Sequence, residues 1–279
     1  MSDSLVNTSA KTKAEQIKRS FFYYPRIILM TGLLALWIIF MVPLNFLWKL
    51  LRLPKQEKFF LAFHRGCCWI FGLQYRVSGI ISEHKPSLFL SNHISYLDIF
   101  VLGGLVPGFF VAKSEVSGWP ILGALAKVQN TLFIERNSKK IRSQLRIMSD
   151  HFSSGKNLIL FPEGTSTEGE HVEPFKSSLF QSIESSSVDV YIQPITIAYT
   201  RYKNKPMSRA IRDQYAWYAT MPFASHFFNA MTLGRAEVEV IFHQPVLLSD
   251  FSTRKECALY CYQQVADGLA LALDDKLES

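Results

Sequence analysis

Ser87-Leu88-Phe89-Leu90-Ser91-Asn92-His93-Ile94-Ser95-Tyr96-Leu97-Asp98 places a short apolar run directly before a polar turn. An apolar run of this length, bounded by turn residues, reads as a buried strand. The turn then delivers His93, with Asp98 five residues on. A histidine carried to a strand end beside a carboxylate is the arrangement of a general base and its orienting partner. The same two residues also occur as a loop histidine near a helix N-cap, so the pair alone decides nothing. Five residues on a regular helix set two side chains ~140° apart, so the pair can meet only if His93 lies in the turn before a helix starts.

Outward from this stretch, the pattern from Tyr75 onward alternates short apolar runs with amphipathic stretches. That alternation predicts an α/β fold, a mostly parallel sheet flanked by helices. Candidate strands are Tyr75 to Ile81, Ser87 to Leu90, Gly108 to Ala112, Thr131 to Glu135, Asn157 to Phe161, Val188 to Tyr199 and Ala236 to Phe242. The clearest helix carries Ile141, Leu145, Met148 and Phe152 at helical spacing, starting near Asn137 or Ser138 and stopping at Gly155. Phe251 to Leu273 reads as an amphipathic helix covering the sheet or its edge. Tyr202 to Gly234 interleaves basic and aromatic residues, which fits either a surface meeting lipid headgroups or an insertion packed on the core. Neither an internal repeat nor a Gly-rich nucleotide loop is present.

The chain has 279 residues, enough for one main domain with an appendage. A formal net charge of +7 favours an anionic partner, and a hydrophobic content of 48% turns that preference from nucleic acid toward lipid. Residues 1–26 form a basic segment. Ile27 to Trp48 then contains no charged residue and is long enough to span a bilayer, with Pro43 and Asn45 expected to interrupt its last turns. No small-residue cleavage site follows, against a cleaved signal peptide. Basic residues flank the run on both sides, so charge gives no orientation. The next stretch, Phe59 to Phe71, is apolar and aromatic. Residues 27–73 are therefore read as membrane-anchoring helices, either a helical pair or a span followed by a core helix, and 74–279 as the catalytic α/β domain. Cys67 with Cys68 and Cys257 with Cys261 show neither zinc spacing nor a disulfide framework, which points to a reducing compartment.

Three further motifs fall at or near strand ends, where open α/β sheets gather their sites. Phe133-Ile134-Glu135-Arg136 ends a strand in a guanidinium suited to a phosphate, or to a surface ion pair. Phe161-Pro162-Glu163-Gly164-Thr165-Ser166 ends another in a tight turn presenting a carboxylate to a substrate or base, or else capping a backbone amide. Tyr191-Ile192-Gln193-Pro194-Ile195 puts a proline inside a strand, expected at an edge or bend, where it shapes a pocket wall. Lys113, at a further strand end, is either a second cation for the anionic group that Arg136 would hold or a solvent-facing lysine.

Taken in order, the His-x4-Asp turn, Phe133-Ile134-Glu135-Arg136, the Pro-Glu-Gly turn and Gln193-Pro194-Ile195 resemble the four successive motifs of the glycerophospholipid acyltransferases. The lysophosphatidic acid acyltransferases are the nearest match. The resemblance covers roughly Ser87 to Tyr199. It implies transfer of an acyl chain from acyl-CoA or acyl carrier protein to the free hydroxyl of lysophosphatidic acid, giving phosphatidic acid, with no cofactor and no metal. His93 is then the base and Asp98 its orienting partner. Arg136 binds the phosphate, and Glu163, Gly164 and Thr165 form the acceptor-binding turn. Two positions depart from the pattern: Asn130 stands where glycine is common, and Ser177-Ser178 where a glycine often follows Phe175-Lys176. The first bears on headgroup choice, with lyso-ornithine lipid as the alternative acceptor. The implied location is a membrane, the bacterial inner membrane with the catalytic domain facing the cytoplasm. Two other classes compete: a metal-dependent membrane hydrolase using His93, Asp98 and Glu163 as ligands, and a non-catalytic lipid-binding protein.

Overall fold

The computed structural model describes the backbone of residues 2–54, 56–135 and 141–274, with side chains over 23–54, 56–135 and 145–274. Two helices lead, α1 (Ser2–Leu50) and α2 (Gln56–Phe71), followed by strands β1 (Leu73–Gly79) and β2 (Ser87–Ser91). Next come α3 (Leu97–Leu105), β3 (Phe109–Lys113), α4 (Leu122–Val128) and β4 (Leu132–Ile134). The middle holds α5 (Ile141–Ser153), β5 (Leu158–Leu160), α6 (Gln181–Glu184), β6 (Tyr191–Tyr202) and β7 (Lys205–Pro206). The chain closes with α7 (Arg209–Tyr215), α8 (Phe223–Leu233), β8 (Ala236–Phe242), β9 (Val246–Leu247) and α9 (Arg254–Asp274).

The main strands run β1-β8-β6-β2-β5-β3-β4, with β7 and β9 pairing onto β6. From β6 through β4 every pairing is parallel, and β8 then joins β6 antiparallel, as the α/β reading expects for most of the sheet. Strands in such a sheet are covered on both faces, which is why Leu88-Phe89-Leu90 is apolar without alternation and wholly buried. β6 shows the two layers directly. Thr196 donates to the Val265 carbonyl of α9 at 3.0 Å, while Tyr199, of opposite parity, reaches Asp98 of α3 at 3.0 Å. Because β2, β5, β3 and β4 are parallel, their C-terminal ends share one edge, and the polar motifs collect there.

Pro194 lies in an interior strand, not at an edge, paired with Leu90 of β2. The reason is local. Its other flank falls where the antiparallel partner changes, from Ile192↔Val246 in β9 to Ile195↔Phe242 in β8. Its carbonyl accepts from the His243 amide at 3.0 Å, so the position lacking N–H faces this interruption of the ladder and no regular pairing is lost. Buried Gln193 closes the gap, accepting from the Ser82 amide and donating to the Ile80 and His243 carbonyls, each at 2.8 Å.

α1 also departs from expectation. It runs unbroken across the boundary between the basic segment and the apolar run, and continues through Pro43 to Leu50. Proline costs a helix one hydrogen bond, and a long helix packed along a neighbour tolerates that loss. Asn45, buried within it, donates to the Val128 carbonyl at 3.3 Å and accepts from Gln56 at 2.8 Å. Tyr23–Leu50 is long and apolar enough to cross a membrane. One face of it is exposed at Ile28, Leu36, Ile39, Phe40, Phe46 and Leu50. The other is fixed to the domain: Arg26 donates to the Met231 carbonyl, Trp37 to the Phe63 carbonyl and Lys49 to the Val128 carbonyl. Phe59 to Phe71 falls in α2, which buries Phe60, Phe63, Cys67 and Phe71. Tyr202 to Gly234 folds as β7, α7 and α8, with Tyr215, Ala216 and Met231 buried in the core.

Candidate active site

β2 ends at Ser91 and α3 begins at Leu97, so His93 falls in the turn between them, the condition for it to meet Asp98. The His93 Nδ1 to Asp98 Oδ2 distance is 2.9 Å. The same Oδ2 accepts the Ile94 and Ser95 amides at 2.7 and 2.9 Å, and Oδ1 accepts the Tyr199 hydroxyl at 3.0 Å. Asp98 is completely buried, and four donors offset the cost of placing its carboxylate there. An ionised carboxylate only accepts, so Nδ1 carries the ring proton and Nε2 is left with a lone pair. The imidazole stacks on Phe161, with centroids 3.9 Å apart and planes 18° apart, and its side chain is 19% exposed. Held on one face and half-open on the other, it can take a proton from a hydroxyl brought to Nε2.

The Pro-Glu-Gly turn is bound to this turn from below. Glu163 Oε1 accepts the His93 amide at 2.6 Å and Oε2 accepts the Glu173 amide at 2.7 Å. Thr167 donates its amide to the His93 carbonyl at 2.9 Å, so both backbone groups of His93 are satisfied by one loop. Gly164 has φ of 71°, the left-handed conformation that a glycine adopts without strain, and Thr165 is exposed beside it. Burial pushes the Glu163 carboxyl from an ordinary 4.5 up to about 8, with the charge on Asp98 adding to the rise and the two amide bonds opposing it. Between those values the folded protein keeps a proton that the unfolded chain has released, so stability falls as pH rises across that window. Thermal midpoints of wild type and Glu163→Gln are expected to diverge between about pH 5 and about pH 8, the wild type losing more on the way up. Parallel curves would contradict this reading of Glu163.

His93, Asp98, Glu163, Gly164 and Thr165 are thus brought together. Lys113 ends β3, on the same sheet edge and two strands from β2. Arg136 lies outside the described residues, as do Asn137 and Ser138, and the strand leading to it, β4, closes that edge. Asn130 has φ of 57°, so it supplies the left-handed turn that glycine would give, as asparagine readily does. Its side chain adds what glycine lacks: Oδ1 accepts from Lys49 at 3.2 Å and Nδ2 donates to Gln56 at 3.3 Å, tying the turn before β4 to α1 and α2. Ser177 and Ser178 open a short 3₁₀ turn, Ser177–Phe180. Among the described residues no cluster of three His, Cys, Asp or Glu side chains could hold a metal ion. Both oxygens of Glu163 and both of Asp98 instead face protein donors.

Sequence reasoning missed one contributor, Tyr199, and left the part played by a second, Trp217, open. Tyr199 sits in an apolar run and carries no signal that separates it from a core residue. Trp217 belongs to the Tyr215-Ala216-Trp217-Tyr218 stretch. Its amide donates to the Ile94 carbonyl at 2.9 Å and its carbonyl accepts from Ser166 at 2.5 Å, stitching that stretch onto the turn that carries His93. Its ring joins Tyr96, Trp119 and Phe223 in an apolar cluster.

Sequence comparison places this chain in a known class: it belongs to the acyltransferase family. The family model described as Acyltransferase matches residues 74–198. The lyso-ornithine lipid O-acyltransferase of Rhodobacter capsulatus is 38% identical over 208 residues, 74% of this chain and 73% of that one. A 1-acyl-sn-glycerol-3-phosphate acyltransferase of Neisseria gonorrhoeae is 32% identical over 166 residues, 58% of this chain and 63% of that one. The crystal structure of the 1-acyl-sn-glycerophosphate acyltransferase PlsC from Thermotoga maritima matches with a TM-score of 0.63 at 22% identity, covering 90% of this chain and 96% of that chain, a likeness of fold.

Proposed function

We propose that this protein moves a fatty acyl chain from a thioester, acyl-CoA or acyl carrier protein, to the free hydroxyl of a lysolipid. The observation that carries the reading is the buried Asp98 bound to His93 Nδ1, which leaves Nε2 as the base. Nε2 takes the hydroxyl proton as the oxygen attacks the thioester carbonyl. The C–S bond then breaks and the imidazolium returns the proton to the departing thiolate. The acceptor itself is the nucleophile, so no protein acyl intermediate forms and no cofactor is needed.

Lyso-ornithine lipid is the favoured acceptor, because the relative matched over the larger share of both chains is named for it. Lysophosphatidic acid is the second reading, favoured by the Neisseria relative and by the four-motif resemblance. In either case Arg136 and Lys113 hold the acceptor's anionic group, carboxylate or phosphate, and the Glu163-Gly164-Thr165 turn lies against it. The exposed stripe of α1 sits in the bilayer. The hydrogen bonds that fix α1 to the domain from Arg26 to Lys49 favour a helix lying along the membrane plane. Four free, buried cysteines favour a reducing compartment, and the reading places the domain at the cytoplasmic surface of the inner membrane.

The test is a matrix of both lysolipids against both donors, followed by thiol release and by mass spectrometry of the lipid product. One acceptor, with lyso-ornithine lipid expected, should drive thiol release and gain one acyl chain. Release independent of every acceptor would sink the proposal.

A further inference from the structure

Asp98 is held by two different bodies. His93, Ile94 and Ser95, whose N–H groups meet Oδ2, belong to the turn that leads directly into α3, where the carboxylate sits, three to five residues away in sequence. The Tyr199 hydroxyl, on Oδ1 at 3.0 Å, comes from the central strand β6. Tyr199 is completely buried and its ring packs against Tyr215, with centroids 5.7 Å apart. Its carbonyl accepts from Arg212 at 3.1 Å, so the phenol is fixed at both ends of the residue. A carboxylate torsion is broad when unconstrained, and this bond is what registers it against the sheet.

We propose that Tyr199 is a positioning residue of the acyl transfer, acting through Asp98 to hold the His93 ring in register and to set how readily Nε2 binds a proton. The inference rests on the proposed role of His93 as base. A hydroxyl donating to Oδ1 draws charge from the carboxylate and weakens its pull on the ring proton. The titratable and charged groups around the pair are His93 on the turn, Tyr96 before α3, Cys68 on α2, Glu163 after β5, and Arg212 and Tyr215 on α7. Of these, only His93 hydrogen-bonds the Asp98 side chain, alongside Tyr199 itself.

Tyr199→Phe removes the hydroxyl and keeps the ring. Without it the carboxylate is more basic and stabilises the imidazolium, so a higher pH is needed to free Nε2. The expected result is a fall in kcat of about tenfold, KM changed by less than about twofold, and an acid limb of kcat/KM displaced to higher pH. Tyr215→Phe is the control: it keeps the ring that packs on Tyr199 and deletes a buried hydroxyl bonded to the Gly234 carbonyl at 3.2 Å, a group that hydrogen-bonds neither Asp98 nor Tyr199. It should lower the thermal midpoint and leave the limb in place. NMR titration of the His93 ring reads the same coupling without substrate, so the role of Tyr199 is tested even if wild type transfers no acyl chain, a result that would count against the proposed function alone. A His93 titration and acid limb unchanged in Tyr199→Phe, or displaced equally in Tyr215→Phe, would overturn the assignment.

Discussion

His93→Ala is expected to lower kcat by at least about 10²–10⁴-fold, the contribution typical of a positioned general base. The protein should nevertheless fold, because the side chain makes one hydrogen bond and one stacking contact and is 19% exposed. The amide and carbonyl of residue 93, held by Glu163 and Thr167, are untouched by the substitution. Asp98 keeps three of its four donors. The expected pattern is a thermal midpoint near that of wild type and a KM for the thioester within a few-fold, with kcat nearly gone. Stopped-flow thiol release and a melting curve on one preparation check both halves. A melting curve lost together with the rate would show a structural role instead.

Asp98→Asn separates orientation from folding. The amide oxygen can still accept the Ile94 and Ser95 N–H groups, and Tyr199 can turn its hydroxyl to accept from the amide nitrogen. The fold should survive. The negative charge that favours the imidazolium is gone, however, and kcat is expected to fall by about 10³-fold or more, as in other oriented His–Asp systems. Asp98→Ala adds a different penalty by leaving two buried amides and a buried phenol without partners, a loss of about 2–4 kcal/mol on top of the lost rate. The contrast is measurable by denaturant midpoints beside kcat. An Asn variant with wild-type turnover would remove Asp98 from the mechanism.

The apolar runs were legible because they are buried on both faces and bounded by turn residues; all seven candidate strands form. The His–Asp contact was legible for a geometric reason, since five residues permit it only across a turn-to-helix junction. Pro194 was expected at an edge or a bend; it lies in an interior strand, and its tolerance depends on where two other strands, β8 and β9, hand over. No local pattern records that. Tyr199 was invisible for a similar reason: its parity in β6 places it under α3 and not under α9, and parity matters only once the sheet order is known. Asn130 reads as a departure from a glycine pattern, yet its backbone takes the glycine conformation and its side chain reaches Lys49 and Gln56, residues far away in the sequence. The continuity of α1 through Pro43 likewise reflects packing along the domain, which propensity alone does not include.

The central claim is that His93 Nε2 removes the proton from a lysolipid hydroxyl as that oxygen attacks the thioester. Single-turnover thiol release, with and without lysolipid, in wild type and His93→Ala, tests it most directly. Wild type is expected to release thiol rapidly only when acceptor is present, and His93→Ala to release none above background under either condition. Equal acceptor-dependent release in wild type and His93→Ala would contradict it.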